Sequence, residues 1–183
     1  RGAPPEDAAW ALFFLIGNTI PRPANSRVLR DWVAEATGIP LWLLEESYHS
    51  VGDLAETFAL VLEGDTSGTQ LPLSELVEKK LLPIASVSEL ERKETLKSLW
   101  STLSQPQAFM LMKLITGSLR VGVQKTLLSK ALSQVSGISQ AQIAHRLMGG
   151  FTPSPKHLSS LLDPDLSERD PGLPYPSCLA YPL

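Results

Sequence analysis

A chain of 183 residues with 43% hydrophobic residues, 19% charged residues and a mean hydropathy of +0.03 is long and apolar enough for a real core, which excludes a disordered, fibrous or membrane-spanning polypeptide. The net charge of −3 argues against a chain-wide attraction for nucleic acid, and the single cysteine, Cys178, excludes an internal disulfide and a cysteine-rich zinc site, as suits a reducing cytosol. The apolar run 8–16 is too short to cross a bilayer and follows Glu6 and Asp7, where a signal peptide carries positive charge.

The spacing predicts a first helix over 5–16, with Pro5 in its first turn, acids at its positive end and Ala9, Leu12, Phe13 and Ile16 on one side. Gly17-Asn18 stops it, and Ile20-Pro21-Arg22-Pro23 is extended. Asn25 or Ser26 caps a second helix that Gly38 ends. Residues 41–63 form one or two helices with an inner stripe of Val51, Leu54, Ala55, Phe58 and Leu62, and 64–68 form a surface loop. A short helix over 73–82 ends at Pro83, and the capping box Ser88-x-x-Glu91 opens a long helix that buries Leu90, Leu96, Leu99, Trp100 and Leu103. A helix over 105–116 follows. Another opens after Gly122 with Val123, Leu127, Leu128, Ala131, Leu132 and Val135 on one face, then one capped by Ser139, and a last one over 155–162. Nothing alternates with period two, so the fold is all-α, a helical domain over 1–162. From Asp163 the proline-rich chain reads as an extended linker over 163–183. An opening at Arg1 and a close on Ala180-Tyr181-Pro182-Leu183 read as a piece of a longer protein.

The segment organising the rest is 115–132. Gly117 ends a helix as a left-handed cap does, and Gly122 precedes the next one, whose free N–H groups point back at the turn beside Arg120 and Lys125. That arrangement suits an anion such as phosphate. It is not a P-loop, because Val123 and Gln124 separate Gly122 from Lys125 and a helix stands where that motif has a strand. The charge along the chain is divided in the same sense. Residues 95–162 hold no Asp or Glu and carry Lys97, Lys113, Arg120, Lys125, Lys130, Arg146 and Lys156, whereas 1–94 hold 15 acids against 8 bases. An acid-free, cationic stretch is expected to face negative charge.

The second helix repeats. Residues 26–39 align without gaps on 125–138, with apolar positions and a terminal Gly-Ile in register, and each copy follows a turn that holds an arginine, Arg22 or Arg120. Two related halves are implied, each offering a cationic turn to one long partner. Catalytic chemistry is missing: His49, His145 and His157 lack metal-ligand spacing, Ser47, His49 and Asp53 do not converge as a relay, and Trp10, Trp32, Trp42 and Trp100 read as core.

The run 114–132, Leu-Ile-Thr-Gly-Ser-Leu-Arg-Val-Gly-Val-Gln-Lys-Thr-Leu-Leu-Ser-Lys-Ala-Leu, resembles the G-x-x-R-x-G turn and following helix of the N-terminal DNA-binding domain of ATP-dependent DNA ligases. Tyr48-His-Ser-Val-Gly-Asp-Leu-Ala-Glu56, Ile143-Ala-His-Arg-Leu-Met-Gly149 and Tyr175-Pro-Ser-Cys-Leu-Ala-Tyr-Pro-Leu183 extend the likeness, the last resembling the lead-in to the adenylation domain of bacterial members. The resemblance implies a monomeric domain that grips nicked duplex DNA across the minor groove without reading sequence, contacts the adenylation domain of its own chain, and works in the cytoplasm, at the nucleoid, in DNA repair, replication or recombination. ATP and a divalent metal, Mg, are implied for the parent enzyme only. No lysine here is followed by x-Asp-Gly, so this segment is expected to bind DNA and not to ligate. By resemblance Gly117, Ser118, Arg120, Gly122 and Lys125 make one contact, and Arg22, Asn25, Ser26 and Arg27 make another in the equivalent half, where Pro21 and Pro23 replace expected glycines. The alternative is a helical protein–protein scaffold with a cationic face.

Overall fold

The computed structural model describes residues 2–62, 64, 71–119 and 125–168. Among the described residues there are ten α-helices and no strand: α1 (Pro5–Leu15), α2 (Ser26–Thr37), α3 (Leu41–Val51), α4 (Leu54–Val61), α5 (Leu73–Glu75), α6 (Glu89–Thr102), α7 (Gln105–Thr116), α8 (Lys125–Ser136), α9 (Gln140–Met148) and α10 (Pro155–Leu161). The all-α expectation is met. The last described stretch is a 3₁₀ turn, Pro164–Glu168, and the rest of the proline-rich segment lies outside the described residues.

Local chemistry explains most helix ends. Asn25 Oδ1 accepts the Val28 N–H at 2.9 Å, so Asn25 rather than Ser26 caps α2. Ser88 with Glu91 and Ser139 with Gln142 close reciprocal capping boxes, and so does Ser104 with Gln107. The single helix expected over 73–82 is instead one α-turn that widens into a π-helical stretch, Leu76–Leu81, before a 3₁₀ turn, Pro83–Ser86. The widening aims Val77 and Leu81 together into the core, and Pro83, which has no N–H to give, stands at the start of the next turn instead of inside a helix.

By compactness the chain forms two units, Thr19–Leu119 and Arg1–Asn18 with Arg120–Leu183. In the first, α4 packs on α7, α3 on both α2 and α4, and α6 on the 3₁₀ turn before it. Phe58, Leu111, Met112 and Ile115 are buried there. In the second, α1 packs on α10 and α8 on α9 around Ala9, Leu12, Leu128, Phe151 and Leu161.

Each unit contains one copy of the repeat, and the copies share a hydroxyl clamp at the corner. The α2–α3 and α8–α9 corners both turn on a left-handed glycine, Gly38 at φ 70° and Gly137 at φ 76°. Before each glycine a hydroxyl clamps the corner. Thr37 Oγ1 donates to Val33 O at 2.8 Å and accepts from the Ile39 N–H at 3.4 Å, and Ser136 Oγ donates to Leu132 O at 2.8 Å and accepts from the Ile138 N–H at 3.2 Å. Buried residues also correspond: Leu29 with Leu128, and Leu44 with Ile143.

Several expected core positions face outward. Trp42 is 65% exposed, because α3 buries Leu44 and Trp42 falls on the opposite side of that helix. Leu90 in the first turn of α6 is exposed, as is Val51 at the end of α3. On α8 the buried positions are Leu128 and Ser129, while Leu127 and Val135 are 58% and 61% exposed. Periodicity defines an apolar helix side only to within its flanks, and the neighbours, here α1 and α9, choose which flank is covered.

Lys113 on α7 forms an ion pair with Asp53, whose other oxygen caps α4 by accepting the Glu56 N–H at 3.1 Å. The Lys113 bond first, then the capping N–H, hold the Asp53 carboxyl below its ordinary range. A depressed folded-state value stabilises the fold above the unfolded-state value, about 3.9, and this stabilisation is lost as pH falls through the folded value. Asp53→Asn is therefore expected to lower the urea midpoint at pH 7, and the gap from the parent chain should narrow steadily below about pH 4.

Candidate nucleic-acid interface

The C-terminus of α7 carries the sequence-predicted glycine corner. Gly117, at φ 66°, places its N–H on Leu114 O at 3.2 Å, and the Ser118 N–H reaches Lys113 O at 3.1 Å, the paired bonds of a Schellman ending. Thr116 Oγ1 donates to Met112 O at 2.7 Å and accepts from Ser118 Oγ at 2.7 Å, so the corner is closed by side chains as well as backbone.

Across this corner lies Arg22. A Cβ on Gly117 would stand 3.0 Å from Arg22 Nη2 and 3.1 Å from Nε, so the guanidinium rests against the bare glycine. Arg22 is exposed, and its segment is held on both sides: Ile20 and Pro23 are buried, and Arg92 on α6 donates from Nη1 to Pro23 O at 3.1 Å and from Nε to Val87 O at 2.9 Å. The two prolines fix the extended course that glycines would have left loose. Asn25, Ser26 and Arg27 continue into the first turn of α2. Asn25 Oδ1 is committed to its cap, Arg27 is exposed, and Ser26 is half-buried.

The residues assigned from sequence to two separate contacts are thus regrouped. Arg22 joins Gly117 and Ser118 in the same unit, although 95 positions separate Arg22 from Gly117 in the chain. Lys125 begins α8 in the other unit and is exposed. Arg120 and Gly122 lie outside the described residues. Arg92 was missed: only its place one turn beyond the Ser88 box marks it in the sequence, and nothing local indicates that it reaches Pro23.

The cationic stretch is less cationic folded than written. Lys113 pairs with Asp53, Lys97 with Glu35 at 3.6 Å, and Arg146 Nη1 donates to Leu161 O and Asp163 O, both at 2.8 Å, at the end of α10. Lys125, Lys130 and Lys156 are exposed, and among the described residues no carboxylate lies within ion-pair distance of them. The expectation of seven outward charges fails for Lys97, Lys113 and Arg146, because the acids of 1–94 and the α10 carbonyls reach them only through folding.

Of the histidines, His157 accepts the Thr152 N–H at Nδ1 and lies against Phe151 with the rings tilted by 33°. Among the described residues no group of three or more His, Cys, Asp and Glu could hold a metal ion. Among them also, no helix is long and apolar enough to cross a membrane.

An all-helical fold among the described residues, with a repeated helix–glycine–helix corner, defines a class of helical domains built on an internal repeat. Within that class this chain belongs to the family described as DNA ligase N terminus, whose sequence model matches residues 1–133. It is similar to the DNA ligase of Nitrosopumilus maritimus (strain SCM1), at 29% identity over 108 residues, which cover 55% of this chain and 18% of that protein. The chain spans less than a fifth of that relative's length.

Gly117→Ala forces a side chain into the left-handed region and against Arg22. It is expected to cost about 1–2 kcal/mol in denaturant unfolding.

Proposed function

We propose that this chain is the N-terminal DNA-binding domain of an ATP-dependent DNA ligase and that it holds nicked duplex DNA through its phosphates, without sequence readout. The observation that carries the reading is Arg22 against the bare Gly117–Ser118 corner in a chain of the DNA ligase N terminus family. A guanidinium presents a planar fork of donors suited to phosphate oxygens, and a glycine lets a strand approach the backbone closely. Arg27 and the first free N–H groups of α2 extend this surface, and Lys125 with the first turn of α8 supplies the equivalent element of the other unit. Arg120 and Gly122 belong to the same reading by resemblance. The contacts are to sugar and phosphate, so they position the duplex and carry no base information.

In the longer protein the adenylation and OB domains would supply the chemistry: a lysine takes AMP from ATP with a divalent metal, AMP passes to the 5′-phosphate at the nick, and the 3′-hydroxyl displaces it. The described residues here bind and orient the duplex. The domain acts as a monomer inside the cell, with the adenylation domain of its own chain as its protein contact.

Fluorescence anisotropy with nicked, intact and sequence-scrambled duplexes tests this reading. For four phosphate contacts the slope of log affinity against log salt should be about −3.6, with scrambled sequences bound alike. Arg22→Ala should weaken all duplexes equally, by about tenfold, and make the slope shallower by about 0.9. Affinity unchanged by Arg22→Ala, or a strong sequence preference, would overturn the assignment.

A further inference from the structure

We propose that the unit containing α1 and α8–α10 carries a second binding surface, a cleft that receives a short acidic and apolar peptide segment of a partner protein. The cleft has a volume of about 900 Å³ and opens between residues following α1, the first turn of α8 and one side of α9. Its floor is hydrocarbon, from Ile16, Ala144, Leu147 and Phe151, and Lys125 stands on its rim. Met148, 71% exposed, forms part of its edge and offers a flexible, polarisable surface of the kind that accepts varied apolar side chains.

The walls are held in place before anything binds. Gln140 Nε2, at the start of α9, donates to Thr126 O at 3.1 Å and to Ser129 Oγ at 3.3 Å, and the buried Ser129 hydroxyl donates to Thr126 O at 3.0 Å. The starts of α8 and α9 are therefore stitched together. On the far side Phe151 lies against His157, whose ring is tilted 33° to it with centroids 4.9 Å apart. A preformed cleft of this size suits one or two apolar side chains and their backbone.

Charge selects the occupant. Residues 95–162 contain no Asp or Glu, and among the described residues Lys125 has no carboxylate partner. An incoming segment with an aromatic or aliphatic anchor and a carboxylate a few residues away satisfies both floor and rim. A nucleic-acid strand matches the cleft less well, because phosphates take rows of cations and N–H groups, whereas this floor is apolar and has one cation beside it. The cleft shares Lys125 and the first turn of α8 with the surface proposed for the duplex.

The test is selection of a random dodecapeptide display library on the whole chain, followed by titration of synthetic peptides. Enriched sequences are expected to carry Asp or Glu within about four positions of an aromatic or aliphatic residue, the reach of one helical turn. Ala144→Trp, which fills the cleft from an exposed position, should weaken these peptides at least tenfold. Met148→Glu should weaken them, and Met148→Lys strengthen them, with no demand on the core. No enrichment, enrichment of basic sequences, or peptides indifferent to all three substitutions would overturn the proposal. So would a loss of nicked-duplex binding in Ala144→Trp with peptide binding intact, which would assign the cleft to nucleic acid. Failure of duplex binding alone, with peptides still bound, would count against the ligase-domain reading and not against the cleft.

Discussion

Glycine in the left-handed region is the constraint on which the described structure depends most. At Gly38 and Gly137 it lets a helix end and the chain turn into the next helix with a hydroxyl clamp, and at Gly117 it ends α7 in paired backbone bonds. An L side chain in that conformation costs about 1–2 kcal/mol, so each corner is specified by the absence of a Cβ. At Gly117 the same absence has a second use. The space a Cβ would fill is where Arg22 lies, so the residue that turns the backbone also admits the cation.

The equivalence of the two corners reaches beyond helix lengths. Thr37 and Ser136 make the same donor and acceptor bonds at matching positions, and Leu29, Leu44, Leu128 and Ile143 bury matching sites. Coincidental amphipathic helices would share a period and not a hydrogen-bond pattern. The copies have diverged around that frame. Trp32 in α2 is buried, whereas Ala131 at the matching place in α8 is exposed, and the start of α9 borders a cleft where α3 carries Leu41 and the exposed Trp42.

Charge shows how far a linear reading goes. The acid-free stretch is real, but Lys113 and Lys97 turn back to Asp53 and Glu35, and Arg146 serves the carbonyls at the end of α10. These three cations are engaged within the chain. Lys125, Lys130 and Lys156 remain outward, as do Arg22 and Arg27 from the acid-rich part.

The sequence by itself determined the all-α class, the caps at Ser88 and Ser139, the left-handed endings at Gly38 and Gly117, and the internal repeat. All of these rest on interactions within about five residues, or on a period that one helix imposes on itself. It did not determine that the helix over 73–82 would widen to π before Pro83, that Trp42 and Val135 would face outward, or that Arg92 would pin the Arg22 segment. Nor did it place Arg22 on Gly117 instead of in a separate contact. Those outcomes belong to the tertiary structure, because packing neighbours decide which flank of a helix is covered, and residues 95 positions apart meet only once the helices of their unit have chosen their partners.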